Sequence, residues 1–181
     1  MRRIPRLAGL VLWTVAVPLV FAGVPIALSH LGTRHGWSHG TPAAWNLPGL
    51  VPLVGGWAVM AWVLAHHYRA APPDGWALGR GGGPAYRPEY LIRDGPYARS
   101  RHPLYLGEQA VLLGWAVFLG SVAVAVLLGA VLIGQRLVAP WEEGRLEAEF
   151  GDAYREYQAE VPRWLGRGSF STAEGGARRR L

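Results

Sequence analysis

Residues 7–33 contain no Arg, Asp, Glu or Lys. Nothing else in the chain constrains its fold as strongly. A stretch of that length is long enough to cross the hydrocarbon core of a bilayer, which takes roughly 20 residues. Inside hydrocarbon only a helix or a closed barrel satisfies its own backbone groups, and a continuous apolar run favours the helix. Leu47 to Tyr68 is a second such run, with Trp45, Trp62 and Tyr68 suited to membrane interfaces. From Leu104 to Ala139 apolar residues are nearly continuous, broken only by Glu108, Gln109, the pair Gly120–Ser121 and the pair Gln135–Arg136. This is too long for one span. Gly120–Ser121 is the natural turn, so the run reads as two helices in a tight hairpin, 104–119 and 122–139. The fold class expected is all-α: a polytopic membrane protein with four transmembrane helices, a C-terminal helical hairpin and a cytoplasmic amphipathic helix.

The first run has an alternative reading as a signal peptide, because Arg2, Arg3 and Arg6 precede it and Ala27 to Ser29 resembles a cleavage site. It is longer than the usual apolar region of about 7–15 residues, which favours a retained span. Pro18 and Pro25 are expected to kink it. The chain has no Cys, which excludes disulfides and thiolate catalysis. Its net charge is +6, and every basic charge is an arginine, since no Lys is present. Flanks of membrane helices account for it better than nucleic acid does. Arginines cluster before the first run, in 69–103 and after 140, while the first loop has only Arg34 and the Gly120 turn has none. The positive-inside rule then places both ends and residues 69–103 in the cytoplasm.

Four parts follow: 1–68, a two-helix membrane part; 69–103, a cytoplasmic loop; 104–165, the hairpin and its cytoplasmic helix; 166–181, a basic tail expected to be disordered. In the loop, "GRGGG" lacks the Lys-Ser/Thr and the flanking strand and helix of a phosphate cradle. "HGWSH" has two His, but its glycines argue against a helical metal site. His66 and His67 mark the end of the second helix. Most of the chemistry lies in "YLIRDGPYARSRHPLYLGE", Tyr90 to Glu108. Asp94-Gly95-Pro96 reads as a turn. Pro103 suits the first helical position and His102 the cap before it. Arg101 there is unfavourable beside the positive end of a helix dipole unless an anion joins it. Glu108 falls inside the apolar run, where ionisable groups are costly and usually functional. After the fourth helix, Leu146, Phe150, Tyr154, Tyr157 and Val161 form one apolar stripe of a helix, with Gly151 its weak point. Glu142 and Glu143 stand at the membrane exit, where a closed hairpin would bring them to the Arg101–His102 corner.

"GPYARSRHPLYLG", an apolar hairpin and "EEGRLEAEFGDAYREYQAEVPRW" resemble, in that order, the isoprenylcysteine carboxyl methyltransferase family and its relatives, the membrane phospholipid methyltransferases. The resemblance covers residues 90–165. It implies S-adenosylmethionine as methyl donor and a cytoplasmic-side pocket open to the bilayer. It implies that Arg101, His102, Pro103, Tyr105, Gly107, Glu142, Glu143, Tyr154 and Tyr157 bind the donor and that Arg163 lies on the substrate side; Arg101, His102 and, from its place in the apolar run, Glu108 are the catalytic candidates. The tail after Trp164 lacks the family's proline-containing continuation. The implied acceptor is a lipophilic molecule taken from the bilayer, with carboxyl O-methylation favoured over N-methylation, and with membrane lipids as the other partners; neither nucleic acid nor metal is implied. A carboxylate acceptor needs no base; for an amine, His102 or Glu108 would take the proton. Two other readings are an NADPH-binding reductase-like relative and a non-catalytic membrane protein.

Overall fold

A computed structural model describes residues 3–4, 11, 14–70, 76–77 and 91–165. Arg2 and Arg6, the "GRGGG" stretch at 79–83 and the tail from 166 lie outside the described residues. Helices dominate: α1 (Thr14–Ser29), α2 (Leu50–Ala70), α3 (Pro103–Leu119), α4 (Val122–Phe150) and α5 (Asp152–Glu160). Two short strand pairs accompany them: β1 (Arg3–Ile4) with β4 (Trp76–Ala77), and β2 (Trp37–Ser38) with β3 (Thr41–Pro42), both antiparallel.

The stretch Ala44–Arg69, which includes most of α2, and α4 are long and apolar enough to cross a membrane; α1 and α3 are apolar but shorter. Apolar side chains on α2 and α4 face outward, with Val54 65%, Ile133 64% and Leu137 74% exposed. Such surfaces suit lipid, not water. In α1 the two prolines act on the hydrogen-bond ladder. Pro25 has no N–H to offer the preceding turn. Just before it, residues Leu19–Gly23 take a π-helical turn in which Val24 N–H reaches five residues back to Leu19 O.

The broadest helix contact is between α2 and α3, and glycine creates it. A Cβ added to Gly114 would lie 2.5 Å from both the backbone N and the Cβ of Leu53; one on Gly56 would lie 2.6 Å from Gly107 O. The two backbones therefore nearly touch, as small residues allow between membrane helices. Leu53, Met60 and Val111 fill the contact, flanked by Val17, Phe21, Trp57, Leu104 and Trp115.

Gly120, at φ 58°, ends α3, and Ser121 caps α4 by accepting from Val124 N–H. The β2–β3 ribbon covers this turn. His35 N–H donates to Gly120 O at 2.9 Å and Trp37 Nε1 to Phe118 O at 2.9 Å. Buried Asn46 donates to His35 O and Val117 O at 3.2 and 2.9 Å. "HGWSH" is thus a turn whose working side chain is the tryptophan.

Two expectations need correction. The last long helix does not end at Ala139. It runs through Pro140 to Phe150, because strong helix formers follow the proline (Glu, Arg, Leu and Ala in residues 142–149). The stripe from Leu146 to Val161 is not one helix either. Gly151 adopts φ 54°, ψ −128°, open to glycine, and divides α4 from α5. The stripe nevertheless holds across the break: Tyr154, Tyr157 and Val161 are buried together, with Leu146 and Phe150 beside them. Their partners are Leu91 and Tyr97 of the loop before α3.

Candidate functional site

The loop from Leu91 is set from two sides before it reaches the corner. On one side is the end of α2: His66 Nε2 lies 2.8 Å from Asp94 Oδ1, and His67 Nε2 lies 3.3 Å from the Tyr97 hydroxyl. Gly95, at φ 59°, lets the His66 ring pack directly on the backbone. On the other side is α5, whose Tyr157 hydroxyl donates to Tyr97 O at 2.8 Å. Asp94-Gly95-Pro96 opens a 3₁₀ turn, Gly95–Ala98, which delivers Ser100 and Arg101 to the start of α3.

The segment after α5 straps across that start. Arg101 N–H donates to Pro162 O at 3.0 Å, and Ser100 Oγ donates to Arg163 O at 3.1 Å. Pro103 occupies the beginning of α3 with His102 as its cap, and His102 N–H donates to Ser100 Oγ at 3.1 Å. The His102 and Tyr105 rings stack at 5.2 Å and 9°, and Trp164 of the strap tilts against His102 at 5.5 Å.

Arg101 sits beside the dipole of α3 because an anion is present, and that anion is internal. Glu143, 3% exposed, accepts from Arg163 Nε and Nη2 at 2.9 and 2.7 Å and from His102 Nε2 at 3.0 Å. Arg101 Nε stands 3.4 Å from Glu143 Oε1, a contact between charges, while it makes no hydrogen bond. Glu143 thus collects three basic side chains from α3, its leading loop and the strap. Burial lowers the His102 pKa below its usual value, and Glu143 opposes this in part. A neutral ring with its proton on Nε2, donated to Glu143, fits both facts.

Glu142 is placed differently. It accepts from the Tyr105 hydroxyl at 2.8 Å, lies 3.7 Å from His102 Nδ1, and leaves 38% of its side chain exposed. One acid is therefore consumed inside the protein while its neighbour faces outward beside two stacked rings.

The structure brings Arg101, His102, Pro103, Tyr105, Glu142, Glu143 and Arg163 to one place. Tyr154 and Tyr157 are buried next to it, and burial pushes the Tyr154 phenol up to about 12, so it stays protonated. Gly107 faces Met60 and Gly56 of α2, where its role is close packing. Glu108 lies along α3 and accepts from Gln135 of α4. The site also takes in Ser100 and Trp164, with Gln135 bonded to Glu108. Their signals were weak: a serine inside the "RSRHP" stretch, a tryptophan at the end of a motif, and a polar break in an apolar run.

The sequence profile of the phospholipid methyltransferase family matches residues 53–153. A protein-S-isoprenylcysteine O-methyltransferase of Schizosaccharomyces pombe is 39% identical over 75 residues, 40% of this chain and 31% of that protein. A Haemophilus influenzae protein described as uncharacterized is 42% identical over 64 residues, 34% of this chain and 100% of that protein. The chain thus spans under a third of the yeast protein and all of the bacterial one. No solved structure is significantly similar.

Proposed function

From the premise that this chain belongs to the phospholipid methyltransferase family, we propose that it moves a methyl group from S-adenosylmethionine to a lipophilic acceptor taken from the bilayer. Bound at the corner, the donor would supply an electrophilic methyl group on a positively charged sulfur. The observation that carries this reading is the division of labour between the two acids. Glu143 is neutralised by Arg101 and Arg163 and accepts a hydrogen bond from His102. Glu142 remains half-exposed beside His102 and Tyr105, with Trp164 adjacent. A carboxylate and aromatic faces suit a cation. The donor's ammonium and sulfonium fit that end.

His102 holds the ring stack in place through its bond to Glu143. Arg163, expected near the substrate, supports this reading as the clamp that ties the strap to Glu143. Catalysis is placed in 104–165 together with the end of loop 69–103, and 1–68 serves as the membrane support. The arginine distribution supports a four-span arrangement with this site on the cytoplasmic side. The yeast relative's name supports an oxygen acceptor, in line with the carboxyl O-methylation that the resemblance implies.

Calorimetry of the detergent-purified chain with S-adenosylmethionine and S-adenosylhomocysteine tests the reading, followed by labelled-methyl transfer to a membrane extract. Saturable binding of both is expected. A folded chain that binds neither, or that binds NADPH instead, refutes it.

A further inference from the structure

The last turns of α2 hold the loop before the corner through three ring side chains. Arg99 lies over the Trp62 ring, 5.3 Å from its centroid, His66 meets Asp94, and His67 meets Tyr97. Positions 62 and 66 are four apart and share one face of the helix, with 67 beside it. Asp94 and Arg99 are exposed, where water and salt weaken a charged contact. The joint between His67 and Tyr97 is half-buried.

The direction of that joint follows from the backbone. His67 Nδ1 lies 3.2 Å from Val63 O, and a carbonyl only accepts, so Nδ1 carries the ring proton. In the neutral ring Nε2 is left as an acceptor, and the Tyr97 hydroxyl donates to it at 3.3 Å. The two rings also meet edge to face, at 5.5 Å and 90°. Val63 is buried in α2, so the His67 ring is fixed at its root. Tyr97 is held a second time through its backbone, whose O accepts from the Tyr157 hydroxyl of α5. One loop residue is thus pinned by α2 through its side chain and by α5 through its carbonyl. Arg101 and His102 follow directly after it in the chain, past Ser100.

Anchoring alone does not need this polarity. An apolar pair of the same shape would hold the loop about as well, since a hydrogen bond contributes little net stability. What the hydrogen-bonded joint adds is a fixed distance and direction. The corner depends on both: His102 Nε2 lies 3.0 Å from Glu143 Oε1, and the His102 and Tyr105 rings stack within 9° of parallel. A binding constellation of this kind works only when the residues behind it are themselves locked.

We propose that His67 is a positioning residue for the methyl-donor site. Through Tyr97 it sets where His102 stands against Tyr105 and Glu142, so the second membrane helix contributes to donor binding as well as to support. This deepens the methyl-transfer reading and rests on it. The roles of His67 and Tyr97 need no contact with the donor, because both act through the loop.

The test uses the full chain in detergent, with S-adenosylmethionine as the probe. Tyr97→Phe removes the hydroxyl and keeps the ring, and His67→Phe removes the acceptor. Each is expected to raise the donor Kd by about three- to tenfold, the range that one hydrogen bond allows. The double variant is expected to lose no more than either single one, because both break the same joint. His67→Gln offers an amide oxygen to Tyr97 and is expected to recover part of the affinity. Wild-type Kd in both single variants, even with a lower melting temperature, makes the joint a loop anchor and overturns the proposal. A double loss equal to the product of the single losses also overturns it. If His67→Phe does not fold, Tyr97→Phe decides alone. A second readout needs no donor: nitrogen NMR of isotope-labelled histidine. The ring signals of His102, identified by their absence from His102→Gln, are expected to move in Tyr97→Phe, and signals left at their wild-type positions overturn the positioning. A wild-type chain that binds no S-adenosylmethionine removes the methyl-transfer reading, and the NMR comparison still decides whether the joint sets the corner.

Discussion

Replacing Glu143 by Gln separates the two adjacent acids more sharply than any other change. The carboxylate accepts two bonds from Arg163 and one from His102, and it faces Arg101. The amide that replaces it has one accepting oxygen, and its NH2 group turns a donor towards donors. Removing one partner of a buried ion pair costs about 3–5 kcal/mol. Arg163 is 39% exposed and regains water, so its share is discounted. A net loss of about 2–3 kcal/mol remains, which for a chain of this size lowers Tm by about 5–10 °C. Glu142→Gln gives up one hydrogen bond from Tyr105 at a half-exposed position, and its Tm should fall by at most about 3 °C. Its effect should instead be on the donor, with a loss of about tenfold in S-adenosylmethionine affinity. Thermal unfolding in detergent, followed by tryptophan fluorescence, reads the first quantity, and calorimetry reads the second. Equal melting of the two variants, or a Glu143→Gln protein as stable as wild type, would refute the division between them.

Arg101→Lys is expected to recover only part of the transfer activity lost in Arg101→Ala, because Lys keeps the charge without the planar group beside Glu143; full recovery in a folded protein makes the corner a simple basic anchor. Stability should fall as pH drops below about 6.5. The folded His102 has a lowered pKa, so there the unfolded chain binds more protons; above that range the term vanishes. Subtracting the Tm profile of His102→Gln from that of wild type between pH 5.5 and 7.5 isolates this slope, and a flat difference would reject a buried neutral ring. Gly114→Ala should destabilise by more than about 2 kcal/mol, since its Cβ meets the Leu53 backbone, while Gly55→Ala, with open space around it, should be neutral or better; matching unfolding curves would reject the close α2–α3 contact. In a chain without native cysteine, Ser38→Cys should react with an impermeant reagent outside intact cells and Ala148→Cys should not; the reverse pattern would invert the orientation.

The helices were legible because apolar length and turn chemistry are local properties: Gly120–Ser121 and Pro103 mark the ends of α3 to the residue. Gly151 could be named as the weak point, yet the break was not foreseen, since it depends on the Tyr154–Tyr157–Val161 cluster finding Leu91 and Tyr97 far away in the chain. The meeting of Glu142 and Glu143 with the Arg101–His102 corner followed from the hairpin. Which acid would be buried did not, because that is decided by Arg163, twenty positions further on and invisible to helical spacing. In the sequence Gln135 is likewise an interruption of an apolar run. Its meaning comes from a partner on another helix, and periodicity carries no record of such pairs.

The strap after α5 also sets an order of assembly. His102 and Glu143 lie 41 positions apart, and Arg163 lies a further 20 beyond Glu143. A ribosome adding about 5–20 residues per second delivers the acid some seconds after the corner, and the clamping guanidinium later still. Until Glu143 arrives, Arg101 at the head of α3 lacks the carboxylate that faces it in the folded chain. A nascent chain halted before Val161 would therefore insert its helices and still lack a closed corner. The apolar helices and the closure of the corner thus draw on residues made at different times.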